Sequence, residues 1–119
     1  MPDATQRVTV SEQKDVKIVD FLENKILDEA NITEIGQQLI ALAEAADRPK
    51  IVLDFSNVDH LSSAALGMLI NVNNRVKQQN GQLRLANIKP AIMEVFEITK
   101  LNKLFKITKN RVDALGSFN

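Results

Sequence analysis

The sequence predicts an α/β domain with a mixed sheet of four to five strands, flanked by about four helices. Three observations carry this prediction. Short apolar or alternating runs take turns with longer segments of helical spacing. The elements follow the order β β α β α β α β α, and strands separated by helices imply right-handed crossovers and mainly parallel pairing. The first two runs are separated only by a polar turn, so an antiparallel hairpin makes the sheet mixed. With 119 residues and 45% hydrophobic content, the chain is expected to form one domain, 1–119, with a real core.

Residues 1–6 are polar and expected to be loose. From Arg7 to Ser11, Val8 and Val10 alternate with polar residues, as in a short strand. Gln13-Lys14-Asp15 reads as a turn, and Val16–Leu22 as the second strand of the hairpin. Ile26-Leu27 is expected to return to the sheet as a short bridge. Ile32, Ile35, Leu39, Leu42 and Ala46 repeat at helical spacing, so the first helix is expected from about 31 to 46, capped by Asp28 or Asn31. Gly36 inside it costs about 1 kcal/mol against alanine and marks close packing.

Ile51–Phe55 is nearly continuous in apolar residues, as expected for a central strand covered on both faces. Leu61, Ala65, Leu69, Val72 and Val76 then place a second helix, stopped by Gly81. A strand follows at about 82–87. Pro90 opens a short helix lined by Ile92, Val95 and Phe96. Phe105-Lys106-Ile107 is expected as an edge strand, and Asn110 as the cap of a last weak helix through Val112 and Leu115.

Composition removes several function classes. Fifteen basic and fifteen acidic residues cancel, and with no Trp and no Tyr there is neither a basic patch nor a stacking platform for nucleic acid. With no Cys and one His, disulfide frameworks, thiolate metal sites and multi-histidine metal sites are excluded. Asp54 and Asp59 lack a third ligand, so turn and loop hydrogen bonding is the expected role of each. Four scattered glycines form no phosphate-cradling loop, and no cofactor is expected. MPDATQRVTV has no basic start followed by an apolar run, and no stretch reaches the roughly 18 apolar residues of a membrane helix. The expected location is the cytoplasm.

The candidate site is VDHLSSAALG, residues 58–67, where an apolar strand gives way to an apolar helix. Three roles compete for Ser62 and Ser63: helix cap, nucleophile, and acceptor of a covalent mark. A nucleophile elbow needs Gly-x-Ser-x-Gly, and neither serine has those glycines. Asp59 and His60 are adjacent in sequence, which does not orient an imidazole onto a serine. Ser62 is placed to cap, a role worth about 1 kcal/mol. Ser63 then takes the first helical position. There the first-turn N–H groups and the macrodipole favour an anion, and a phosphate adds about −1.5 to −2 charges.

The stretch IVLDFSNVDHLSSAALGMLI resembles the signature region of STAS domains, the family of bacterial anti-sigma factor antagonists. LENKILDEANI, with Leu27-Asp28, resembles the family's earlier strand-to-helix passage, and GQLRLANIKPAIMEVFEITKLNKLFKI its C-terminal half. The resemblance spans roughly residues 8–108. It implies a STAS-like fold and a regulatory module in signal transduction and transcription, not an enzyme. The implied partner is an anti-sigma factor with a histidine-kinase-like ATPase fold, which is also a serine kinase. Its phosphorylation of the antagonist at the helix start breaks the complex, and a PP2C-type phosphatase reverses this. No direct contact with nucleic acid and no membrane insertion are implied.

Many members carry Asp-Ser-Ser/Thr-Gly at the helix start. Aligned through Leu66-Gly67, Ser62 takes the Asp position and Ser63 the phosphorylated one, with Ser62 as the alternative acceptor. Ala64 and Ala65 take the next two places, so the chain departs from the pattern at three of the four positions. The implied partner-binding face comprises Asp28, Asn57, Asp59, His60, Leu61, Ser62, Ser63, Ala64, Leu66 and Gly67. Two other readings remain open. One is a scaffold or transporter-associated STAS subunit, in which the serines serve only as cap. The other is a hydrolase using Ser63 and His60.

Overall fold

The computed structural model describes residues 8–118. Its elements are β1 (Val8–Gln13), β2 (Val16–Phe21), β3 (Lys25–Ile26), α1 (Glu29–Glu44), β4 (Lys50–Asp54), β5 (His60–Leu61), α2 (Ser63–Gln78), β6 (Gln82–Ala86), α3 (Pro90–Ile98), a 3-10 turn (Leu101–Lys103), β7 (Lys106–Ile107) and α4 (Arg111–Gly116). The polar segment 1–6 and Arg7 lie outside the described residues.

The hairpin forms as expected but is longer than the alternation suggested. β1 runs to Gln13, which pairs with Val16. The turn is just Lys14-Asp15, with φ of 50° and 71°. Two consecutive positive φ angles make a type I′ turn, whose twist matches that of the paired strands. From this hairpin the main sheet runs in the order β1-β2-β4-β6-β7. β2 pairs with β4, β4 with β6 and β6 with β7, all parallel. β3 joins β5 in a separate two-stranded parallel ladder instead of returning to the sheet.

The central strand is covered on both faces: Ile51, Val52 and Leu53 are each 0% exposed. One face carries the large core, where Val19, Phe21, Ile51, Leu53 and Leu85 meet Ile35, Leu39, Leu69, Val72 and Phe96 from three helices. The other face carries a small cluster of Val16, Ile18, Val52 and Ala86 under Ala114 of α4, with Leu115 and Phe118 against it. The helix α1 begins at Glu29, two residues before the expected start, because Asp28 is the cap. Close packing at Gly36 is present: a Cβ there would stand 2.8 Å from Cγ of Met68 on α2. Gly81 serves differently from expectation. The left-handed residue after α2 is Asn80, with φ 59°. Gly81 is required because a Cβ would lie 2.4 Å from the Pro49 carbonyl.

One buried acid ties the site end of the sheet together. Asp54 is 3% exposed at the end of β4. Its Oδ1 accepts from the Ser56 N–H at 2.9 Å. Its Oδ2 accepts from Asn87 Nδ2 and from Arg111 Nε, each at 3.0 Å. The Arg111 guanidinium also reaches Asp20, the residue paired with Asp54 in the β2–β4 register. Burial alone raises the Asp54 pKa. The hydrogen bonds from Ser56, Asn87 and Arg111 outweigh it, and the net shift is downward from 3.8. A carboxylate with a depressed folded pKa contributes stability above its unfolded pKa and loses that contribution as pH falls through the folded value. Asp54→Asn is therefore expected to cost about 2–3 kcal/mol at neutral pH. Chemical denaturation at stepped pH checks the origin of the loss: below about pH 4 the wild type weakens more steeply than the variant, narrowing the gap.

Candidate functional site

The site is built where β4 ends and the chain crosses to α2. Asp54 fixes the first step by holding the Ser56 N–H. Val58 then turns inward, 0% exposed, with its N–H donating to the Phe55 carbonyl at 2.9 Å. Asn57 is exposed, and its Nδ2 donates to the Phe21 carbonyl at 3.1 Å. The N–H groups of Asp59 and His60 both donate to the Asn24 carbonyl, at 2.7 and 3.1 Å. The β3–β5 ladder follows, pairing Lys25 with His60 and Ile26 with Leu61. The Ser62 N–H donates to the Ile26 carbonyl at 3.2 Å and closes it. Across the loop, Lys89 forms an ion pair with Asp59. The ammonium holds the Asp59 carboxyl below its ordinary pKa.

The two serines are physically distinct. Ser62 has extended backbone and is the N-cap of α2; its Oγ accepts from the Ala65 N–H at 3.1 Å. Ser63 is the first helical residue and is exposed. An aspartate at position 62 would offer the same kind of acceptor to the helix, so serine there preserves the cap. Ala65 is 0% exposed, so its methyl group is absorbed into the core.

The structure brings nearly all of the candidate residues together. Asp28 is exposed beside the β3–β5 ladder and caps α1, its Oδ1 accepting from Ala30 and Asn31 N–H at 2.9 and 3.2 Å. His60, Ser63 and Ala64 are exposed, while Asp59, Leu61, Ser62 and Gly67 are half-buried. A Cβ at Gly67 would meet nothing within 4 Å, so the internal packing of the fold does not require glycine there. Leu66, by contrast, faces inward. It is 7% exposed and packs in the main core, because the helical turn carries it inward beside Ala65 and Leu69. In the free chain it supports the surface from beneath.

Sequence reasoning missed Leu27. It treated Ile26-Leu27 as one bridge, yet β3 ends at Ile26 and Leu27 lies just beyond it. Ile26 is 1% exposed in the core and Leu27 is 49% exposed next to the ladder that holds Ser62. Leu22, 48% exposed, flanks the same loop. Lys89 was also missed, since only the fold sets it against Asp59. Among the described residues no hydrogen bond joins the His60 imidazole to either serine, and no group of three or more His, Asp or Glu side chains could hold a metal. No described helix is long and apolar enough to cross a membrane.

Comparisons with known proteins bear on the fold and the family. The chain is 31% identical over 93 residues to a putative anti-sigma factor antagonist, BtrV, of Bordetella bronchiseptica, covering 78% of this chain and 79% of that protein. Its fold matches an anti-sigma-factor antagonist (STAS) domain protein from Planctomyces limnophilus with TM-score 0.82, at 19% identity, over 92% of this chain and 96% of the other. It also matches the Bacillus cell fate determinant SpoIIAA in its phosphorylated form, with TM-score 0.67 and 15% identity, over 92% and 96%. The family model for the STAS domain covers residues 7–114. With that coverage, and with the strand-to-helix crossing at Ser62-Ser63 in place, the chain belongs to the STAS domain family.

Proposed function

We propose that this chain is a cytoplasmic anti-sigma factor antagonist, which binds an anti-sigma factor and is released when Ser63 is phosphorylated. The observation that carries the reading is the division between the serines. Ser62 is engaged in capping, and Ser63 stands exposed at the first position of α2. The name of the Bordetella relative and the phosphorylated state of the SpoIIAA neighbour support it. The docking face comprises Asp28, Asn57, Asp59, His60, Leu61, Ser62, Ser63, Ala64 and Gly67, with exposed Leu27 as its apolar anchor. The partner is a serine kinase of the histidine-kinase-like ATPase fold, and a PP2C-type phosphatase restores the active form.

The mechanism is local. A phosphate on Ser63 is compatible with the helix, because the first-turn N–H groups and the macrodipole favour negative charge there. The same charge inside a docked interface is desolvated without a matched cation, which costs several kcal/mol. A loss of about 2.7 kcal/mol is already a hundredfold in affinity. The scaffold reading is an outcome of the same experiments.

Incubation with the cognate kinase and ATP, followed by mass spectrometry, is expected to place one phosphate on Ser63. Ser63→Ala is expected to abolish it without changing Tm. Ser62→Ala is expected to remain a substrate but to lose about 1 kcal/mol of stability, a Tm drop of roughly 4 °C. Modification of Ser62 instead, or of neither serine, would overturn the assignment. A Ser63→Asp protein that binds its partner as tightly as Ser63→Ala would favour a scaffold. At the rim of the face, Leu27→Ala is expected to weaken partner binding on the order of tenfold in calorimetric titration, with Tm nearly unchanged.

A further inference from the structure

The small cluster under α4 opens into a pocket at the end of the sheet away from Ser63. The pocket holds about 290 Å³ and lies between the β1–β2 turn, the first residue of β4 and the end of α4. Val16, Leu115 and Phe118 are its apolar walls, and Lys14 and Lys50 stand beside them. No aspartate or glutamate lines it. Among the described residues, neither lysine enters an ion pair or a side-chain hydrogen bond. Lys50 is half-buried, so its ammonium is partly desolvated and gains more from an anion than a fully exposed one would. The larger groove between α1 and α2 has the opposite character, since its one charged residue is Glu29.

A third cation supports the far wall. Arg84 is 8% exposed, and its guanidinium lies 4.8 Å from the centroid of the Phe118 ring. Its Nε donates to Ser117 Oγ at 2.7 Å and its Nη2 to the Ser117 carbonyl at 3.2 Å. These contacts hold the chain that follows α4 against the sheet. The bond to the carbonyl also occupies a helix-end oxygen that would otherwise repel an anion. The remaining acceptors of Arg84 are the Leu83 carbonyl and Gln82 Oε1, both neutral. Its charge is therefore balanced by no carboxylate among the described residues, and a buried charge acts at longer range than a solvated one.

We propose that this pocket binds a small amphipathic anion, with a carboxylate head at Lys14 and Lys50 and an apolar body against Val16, Leu115 and Phe118. Mostly apolar walls with a few placed polar groups are what a small-molecule site requires, and the volume stands at the lower end of the usual range. The lysines and Arg84 set the sign of the head. The three apolar side chains set the need for a body. For a ligand of about ten heavy atoms, Kd is on the order of 100 μM. Lys50 opens β4 and Asp54 closes it, so this pocket and the two serines lie at opposite ends of the central strand. The pocket can be filled while the serine face is free.

The probe is octanoate, titrated into the full chain and followed by amide NMR. It is expected to shift Lys14, Lys50 and Leu115 together, with one Kd on the order of 100 μM, and to leave Gly67 in the α1–α2 groove unmoved. Octanol lacks the charge, octylammonium reverses it, and inorganic phosphate lacks the body; each is expected to bind about tenfold more weakly or less. The double variant Lys14→Gln, Lys50→Gln is expected to lose about tenfold in octanoate affinity with an unchanged circular dichroism spectrum. Four results would each overturn the proposal: no shift at Lys14, Lys50 and Leu115 at about 1 mM octanoate, ten times the expected Kd; shifts centred on Gly67 instead; octanol or phosphate matching octanoate; or a double variant that binds like the wild type. If the double variant unfolds, the comparison of octanoate with octanol on the wild type decides.

Discussion

The carboxylate of Asp54 is the point on which the functional end of this molecule depends. It closes the central strand, and its bonds reach the Ser56 N–H, Asn87 beyond β6, and Arg111 at the start of α4. Arg111 carries the connection to Asp20 at the end of β2. Three neighbouring strand ends and helix α4 are thus joined through four side chains, Asp20, Asp54, Asn87 and Arg111. Asn87 has a φ of 58°, a left-handed conformation that asparagine tolerates better than most residues, and its amide is aimed at the acid. Each bond lowers the cost of burying the charge; together they make the ionised form the stable one. The direction in which the chain leaves β4 follows from this. It sets where β5 lands against β3, and so where α2 begins.

On that fixed support the two serines have different physics despite being neighbours. A cap hydroxyl is part of the helix, and altering it changes stability. A first-turn hydroxyl pointing to solvent is outside the hydrogen-bond network, and altering it changes the surface. This separation allows a charge to be added without a folding transition. It also accounts for two departures from the family pattern. Serine in place of aspartate keeps the cap, and alanine in place of glycine becomes core. The proposed docking face combines exposed Leu27, small Ala64 and Gly67, and polar loop residues. Most of its backbone is pinned by the β3–β5 ladder and the Asp59–Lys89 ion pair.

Much of the fold was legible because local rules and tertiary packing agree. The periodic helices, Pro90 at the start of α3, and the caps Ser62 and Asn110 could be read directly, since each depends on residues a few positions apart. Asp28 and Asn31 were left as alternatives, and the backbone hydrogen bonds to Asp28 decide between them. What could not be read is long-range or very short. Arg111 and Asp20 are 91 positions apart, and no pattern announces their meeting. β3 and β5 have two residues each, too few for a period to exist. Leu66 shows the opposite failure. The resemblance placed it in the binding face as part of the matched Leu66-Gly67 pair, while helical geometry turns its side chain toward the core. Leu27 was hidden because it follows buried Ile26 directly, and only the structure shows that β3 ends between them.

In the proposed switch the scaffold stays fixed while the surface charge changes, and hydrogen exchange tests this most directly. The amides of Ala65 and Leu66 form the first hydrogen bonds of α2, to Ser62 Oγ and to the Ser62 carbonyl. Their protection should be compared in the unmodified protein and in protein phosphorylated on Ser63, alongside partner affinity. The expected result is equal or greater protection at both amides, with affinity reduced at least tenfold. Loss of protection across the first turn of α2 in the phosphorylated protein would contradict the account, since release would then come from melting the helix and not from charge on an intact face.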